Sequence, residues 1–410
     1  MSTANALWGP DWPSVRALWP LDPARAHLNH GSFGAVPTTV LEHQEALRRR
    51  LAHNPVRELW SAYTGGLDEA RLTAARFLRA DPDGFAFVPN ATTGVNTVLR
   101  SLDLGAGDEV VATDHTYNAC RNALNAAGAR AGVRIVVATL PFPIAAPDQV
   151  VEAVLARVGP RTRLALVDHV TSPTGLVLPI ERLVRELAAR GIDALVDGAH
   201  APGMVPLDLR ALGAAYYTGN CHKWICAPKG SGFLYVRRDR QPGVRPLVIS
   251  HGANSPRVDR SRFRLEFDWV GTTDPTAYLT VPEAIRYMGS LLPGGWPALM
   301  AHNRATALAA RDRLCAALGV PPPAPDSMIG SLAALPVPAG FLPAPVDGER
   351  DPLHIALFER YGLELPVFTW AALACRILRI SAQLYTSAAD YERLADALIA
   401  LRASPLPARA

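Results

Sequence analysis

Short apolar, largely β-branched runs alternate along the chain with longer stretches in which apolar positions return every three or four residues. The short runs fall at 85–89, 109–113, 134–138, 164–170, 194–197, 215–218 and 232–236. Their length is that of buried strands. Helical periodicity occupies 93–101, 117–131, 147–158 and 180–189. In the last of these, Ile180, Leu183, Val184 and Leu187 fall on one face, as an amphipathic helix requires. Strands separated by single helices predict right-handed crossovers, and hence a mainly parallel seven-stranded sheet in an α/β fold. Such sheets place ligands beyond the carboxyl ends of their strands.

The alternation breaks at Leu291-Leu292-Pro293-Gly294-Gly295. A helical pattern over 296–318 follows, then a proline-rich connector at 321–325, then short strands mixed with two helical patterns. The expected organisation is a large domain over 46–288 and a smaller C-terminal α/β domain over 289–410. Residues 1–45 are expected to pack beside the small domain, and the tail 405–410 to fray.

A chain of 410 residues, 49% apolar and 19% charged, has the composition of a globular enzyme. The net charge of +4 comes from scattered arginines, without the clustering that a nucleic-acid footprint needs. No apolar run approaches the ~18–20 residues of a membrane span. The N-terminal stretch lacks a basic start followed by an apolar segment, so a cytoplasmic location is expected. The five cysteines are scattered, and Cys221 and Cys226 lack zinc-ribbon spacing. They read as small buried thiols, and no metal site is expected.

Candidate chemistry concentrates at two strand ends. Leu195-Val196-Asp197-Gly198-Ala199-His200 closes one strand, and Thr218-Gly219-Asn220-Cys221-His222-Lys223-Trp224 closes the next. In an α/β sheet both project at one rim. Pyridoxal 5'-phosphate (PLP) chemistry needs this pairing: a lysine amine for the cofactor aldehyde, and a carboxylate facing the pyridine nitrogen. Asn90-Ala91-Thr92-Thr93-Gly94, after the first strand, offers a helix N-terminus and two hydroxyls for the phosphate. Each piece also has an ordinary reading. Asn90 and Asp197 can be caps, Lys223 a surface lysine, His200 and His222 structural histidines. Their joint occurrence, in order and each at a strand end, favours the cofactor site.

The chain resembles the class V aminotransferase family of fold-type I PLP enzymes over nearly its full length, and within it the isopenicillin N epimerase-like group. The resemblance rests on Leu28-Asn29-His30-Gly31-Ser32-Phe33-Gly34, Asn90-Ala91-Thr92-Thr93-Gly94, Asp114-His115-Thr116-Tyr117 and Asp168-His169-Val170-Thr171-Ser172-Pro173-Thr174-Gly175. It continues through Asp197-Gly198-Ala199-His200, Asn220-Cys221-His222-Lys223-Trp224, Trp269-Val270-Gly271-Thr272-Thr273-Asp274 and Leu378-Arg379-Ile380-Ser381.

The resemblance implies roles. Lys223 would be the Schiff-base lysine and proton carrier, Asp197 the partner of the pyridine nitrogen, and His200 a neighbour of the ring's phenolic oxygen. Thr92, Thr93, Asn220 and His222 would hold the phosphate, with Asn220 standing where relatives often have serine. His115 would lie over the ring, with Tyr117 as the other candidate there and as an acid or base. Ser172 would contact the ring oxygen. Thr272 and Thr273 would reach the phosphate of a neighbouring subunit, which implies a homodimer with shared active sites. Arg379 would grip the substrate carboxylate, and Asn29 would lie near the substrate. Residues 54–63 and 251–264, including Arg57, Trp60, Tyr63, Arg262 and Phe263, would shape the rest of the substrate pocket or else form ordinary surface.

One departure narrows the chemistry. The stretch 360–367, which corresponds to the desulfurase loop carrying a nucleophilic cysteine, has none, and Cys375 sits in an apolar run. A persulfide-forming desulfurase is therefore not expected. The expected activity is epimerisation of an amino acid at its α-carbon. A PLP-dependent C–S lyase of the hercynylcysteine sulfoxide lyase type, or an aminotransferase, is the alternative. The fold alone does not choose among them.

Overall fold

The structure is a computed structural model and describes residues 12–338, 341, 350–370 and 375–403. The expected frayed tail at 405–410 lies outside the described residues, as does the start of the N-terminal segment. At the centre is a sheet of seven strands, β2 (Phe85–Val88), β3 (Glu109–Thr113), β4 (Arg134–Ala138), β5 (Thr162–Asp168), β6 (Asp193–Gly198), β7 (Tyr216–Asn220) and β8 (Gly232–Val236). They lie in the order β2-β8-β7-β6-β5-β3-β4. All run parallel except β8, which is antiparallel to both its neighbours. The central strands are buried on both faces, which explains why they read as continuous apolar runs.

Several element boundaries moved, each for a local reason. The strand expected over 164–170 stops at Asp168, because the chain turns there and Val170 bridges back to Val177. The helix expected from residue 93 starts at Ala91, because the Asn90 side chain accepts the Thr93 N–H and caps it (2.9 Å). The helix expected from 117 starts at Asn118, since Tyr117 is extended (φ −51°, ψ 135°).

A three-stranded antiparallel sheet follows in the order β11-β12-β9, formed by β9 (Leu332–Val337), β11 (Val367–Trp370) and β12 (Cys375–Ser381). Its own apolar core includes Leu335, Leu378, Ile380 and Leu398. Near the N-terminus, β1 (Ala26–His27) pairs in parallel with β10 (Leu363–Glu364). The Ser381 N–H then donates to the Leu28 carbonyl (2.9 Å), which ties the end of β12 to the segment 28–34. No described helix is long and apolar enough to cross a membrane.

Candidate active site

The carboxyl ends of β5, β6 and β7 meet the N-terminus of the helix Ala91–Ser101 around a cavity of about 320 Å³. Thr92, Tyr117, Ser172, Asp197, Asn220 and Lys223 line it, together with His200 and His222. The close fit of helix and sheet depends on Gly94, where a Cβ would fall 2.1 Å from Thr218 Oγ1.

Lys223 sits in the loop after β7, and its Nζ lies 2.9 Å from His200 Nε2. Burial, reinforced by the Arg379 charge, pulls the amine down to about 7, against the attraction of Asp197. The loop is pinned from the N-terminal side. His30, fully buried, hydrogen-bonds Tyr385 through Nδ1 (2.8 Å) and the Lys223 carbonyl through Nε2 (3.0 Å). Gly34 (φ +70°) lets the segment pass so close that a Cβ there would lie 2.0 Å from the His222 carbonyl oxygen.

Asp197 is buried at the end of β6. One oxygen accepts the Ala199 N–H (3.0 Å) and the other accepts the Cys120 thiol (3.1 Å). Burial raises its pKa, and these two donors and Lys223 oppose the rise. Directly across the parallel register stands Asp168, also buried. Burial, and then the Asp197 charge, hold Asp168 well above the usual carboxylate range. The Tyr117 backbone and the Arg121 charge oppose that rise, while the Asp168 Oδ2 has no partner among the described residues.

Arg379, in β12, is 4% exposed yet has no carboxylate partner among the described residues. Nη1 donates to the carbonyl and hydroxyl of Ser172, and Nη2 to Ser32 Oγ (3.1 Å). Its Nε is buried and unpaired, and burial lowers the guanidinium to about 10. Asn29 joins through Ser32, whose hydroxyl donates to Asn29 Oδ1 (2.5 Å).

The remaining expected residues divide between this cavity and other surroundings. His115 is fully buried, 3.0 Å from Asp114 through Nδ1 and edge-on to Trp370 (4.2 Å, 88°), whereas Tyr117 lines the cavity and is 45% exposed. The Thr93 hydroxyl turns back to Asn90 Oδ1 (3.1 Å), and Asn220 Oδ1 is occupied by the Ala91 N–H (2.8 Å). Thr93, Thr272 and Thr273 line a second cavity of about 240 Å³ beside Trp269. Of the residues expected to shape a substrate pocket, Arg262 donates to the carbonyls of Gly252 and Ser255, Phe263 is core, and the Tyr63 hydroxyl donates to the Asp268 carbonyl. None of them reaches the Lys223 cavity of its own chain.

Sequence reasoning singled out neither Cys120, Asp168 nor Ser32 as site residues. Asp168 had a usable signal, since it ends its strand as Asp197 ends the next. Cys120 had none, because Asp197 is 77 residues away, and Ser32 stood in the 28–34 motif while its contact with Arg379, 347 residues on, was not legible.

The residues present fit a PLP-like group. An amine brought down to near neutrality, a buried carboxylate, a hydroxyl and a helix N-terminus surround one cavity, and among the described residues Asp168 leaves an unsatisfied oxygen buried at its edge.

Comparison with known proteins agrees with this arrangement. The model of the aminotransferase class-V family matches residues 34–325. Isopenicillin N epimerase of Amycolatopsis lactamdurans is 36% identical over 401 residues, covering 94% of this chain and 98% of the relative. A probable chloroplastic L-cysteine desulfhydrase of Arabidopsis thaliana is 32% identical, covering 92% and 83%. Among solved structures, a C-DES variant with glycine covalently linked to its PLP cofactor superimposes with a TM-score of 0.77 at 22% identity, covering 94% and 99%. That likeness speaks to the fold.

Proposed function

From the premise that this chain belongs to the aminotransferase class-V family, we propose that it is a PLP-dependent enzyme that epimerises an amino-acid substrate at its α-carbon. The observation that carries this reading is the meeting of Lys223 and Asp197 on one cavity whose serine rim is held by the buried Arg379.

Lys223 Nζ is the amine that would hold the cofactor aldehyde, with Asp197 facing the ring nitrogen and His200 and Ser172 beside the ring oxygen. Thr92, Asn220 and His222 would surround the phosphate at the helix N-terminus. When bound, the cofactor withdraws the electron pair released as the Cα–H bond breaks. Arg379 orients the substrate carboxylate, trading its serine contacts for a bidentate pair. Lys223, with a pKa near neutrality, removes or returns the α-proton on one face. Tyr117, a phenol lining the same cavity, serves the other face. Thr272 and Thr273 lie away from this cavity, which supports the reading that they complete the site of a second subunit in a homodimer. The pairing of β1 with β10 supports grouping residues 1–45 with a small domain over 289–410, beside a large domain over 46–288.

The desulfhydrase relatives favour a second reading, C–S lysis, in which the same residues deprotonate Cα and a leaving sulfur departs. Incubation with amino acids in deuterated water separates the two. Deuterium at Cα of an inverted product supports epimerisation, while pyruvate with a released sulfur species supports lysis. If added PLP leaves no protein-bound absorbance band on wild-type protein after excess PLP is removed, the PLP reading fails; if Lys223→Ala keeps the wild-type band, Lys223 is not the amine that holds the aldehyde.

A further inference from the structure

Two buried rings and the half-buried Lys223 form a chain whose hydrogen-bond directions are determined. The Trp224 indole, fully buried, points Nε1 at His200 Nδ1 (3.4 Å). His200 Nε2 in turn faces Lys223 Nζ (2.9 Å). An indole N–H can only donate. An imidazolium, or a neutral ring protonated at Nδ1, would set two N–H groups against each other. The remaining arrangement is a neutral His200 that accepts at Nδ1 and carries its proton on Nε2. That proton points at Lys223, and an ammonium has no lone pair to accept it.

We propose that Trp224 is a positioning residue: its indole N–H fixes His200 as the Nε2–H tautomer, which keeps Lys223 an uncharged, accepting amine and presents a donor to the bound cofactor. The part concerning the cofactor rests on the PLP reading above; the tautomer does not. Trp224 is well suited to the task because it cannot drift. Val170, Ala201, Met204 and Leu332 pack around it, and the His30 ring lies 4.8 Å away. The charged and titratable groups facing the pair agree. Lys223 meets Arg379, Asp197 and Cys120, and His200 meets Lys223, Arg379, His222 and His30. Burial and the cationic neighbours disfavour a proton on either member, so His200 stands neutral at pH 7 and the uncharged form of Lys223 is populated there.

The test uses full-length protein labelled with ¹⁵N-histidine, carrying either Trp224 or its benzothienyl analogue, which keeps the ring shape and loses the N–H. Trp224→Phe is the genetic counterpart. In wild type, the His200 nitrogens show the neutral Nε2–H pattern at pH 7, and the analogue loses that single tautomer. Cofactor capture, read as the rate at which stripped protein gains visible absorbance with PLP, falls roughly fivefold at pH 7 in the analogue, as expected if the Lys223 pKa rises by about one unit. A purely packing role for Trp224 moves neither quantity in the analogue. An imidazolium or Nδ1–H pattern in wild type overturns the proposal, as does an unchanged tautomer in the analogue. If no visible band forms even in wild type, the PLP reading fails, and the nitrogen spectra alone decide the tautomer.

Discussion

Arg379→Met separates stability from function, because the guanidinium is buried without a counter-charge among the described residues. Burial lowers it to about 10. Relative to an ordinary arginine this is ~3 kcal/mol against the charged form. The bonds to Ser172 and Ser32 return ~1 kcal/mol each, so the bare site remains slightly unfavourable. Methionine fills similar space without a charge. The variant should therefore unfold at a temperature equal to wild type or up to ~2 °C higher, measured by calorimetry without substrate. Catalysis should move the other way. Truncating one partner of a buried charge pair costs ~2–5 kcal/mol. At ~4 kcal/mol, kcat/KM falls about a thousandfold, carried mainly by KM because the contact exists before the chemical step. A midpoint more than ~3 °C below wild type would mean that the guanidinium is chiefly a structural clamp. A loss of kcat/KM under tenfold would remove Arg379 from the substrate site.

Three further outcomes follow from the same geometry. Tyr117→Phe should retain deuterium exchange at Cα while net inversion falls ~100-fold, since Lys223 still serves one face; equal loss of both in an isotope-exchange assay would contradict the two-face assignment. Cys120→Ala removes a donor from Asp197 Oδ2 (3.1 Å) and should weaken cofactor binding about tenfold by absorbance titration, the effect of losing ~1.5 kcal/mol of support for a carboxylate; unchanged affinity would show that the thiol contributes nothing. In cofactor-free protein, Lys223 is lowered to about 7, so between that pH and the ordinary lysine range the unfolded chain binds more protons. Its contribution to stability should thus rise with pH across that window and level off above it, and Lys223→Met should flatten this part of a pH-dependent unfolding series.

Much of the scaffold was legible in the order of residues. Asp197 and Lys223 could be placed at one rim because strand periodicity locates strand ends, and a parallel sheet brings successive ends together. Asn90 announced its helix because a cap acts within three residues of itself. Contacts between distant segments were not legible. Arg379 reaches Ser32 and Ser172 only because the end of β12 is tied to the segment 28–34 beside the large sheet.

The same division explains the residues placed differently. His115 and Tyr117 are two apart, but the backbone turns between the strand end at Thr113 and Tyr117, with the Thr116 N–H donating to the Thr113 carbonyl (3.2 Å), so the two side chains meet different surroundings. The packing of His115 edge-on to Trp370 and its contact with Asp114 accompany that turn. Thr93 and Thr92 are adjacent hydroxyls at one helix start, and cap geometry turned the first to Asn90 and left the second on the cavity. The sequence by itself determined the sheet, the helix N-terminus and the Lys223–Asp197 pairing, because periodicity and caps act over a few residues. Only the tertiary structure decided that His200 meets both Lys223 and Trp224, that Asp197 has Cys120 and Asp168 at its sides, and that Arg379 is buried with no acid beside it among the described residues. Those environments set the protonation states, and burial depends on segments from 77 to 347 residues apart packing at once.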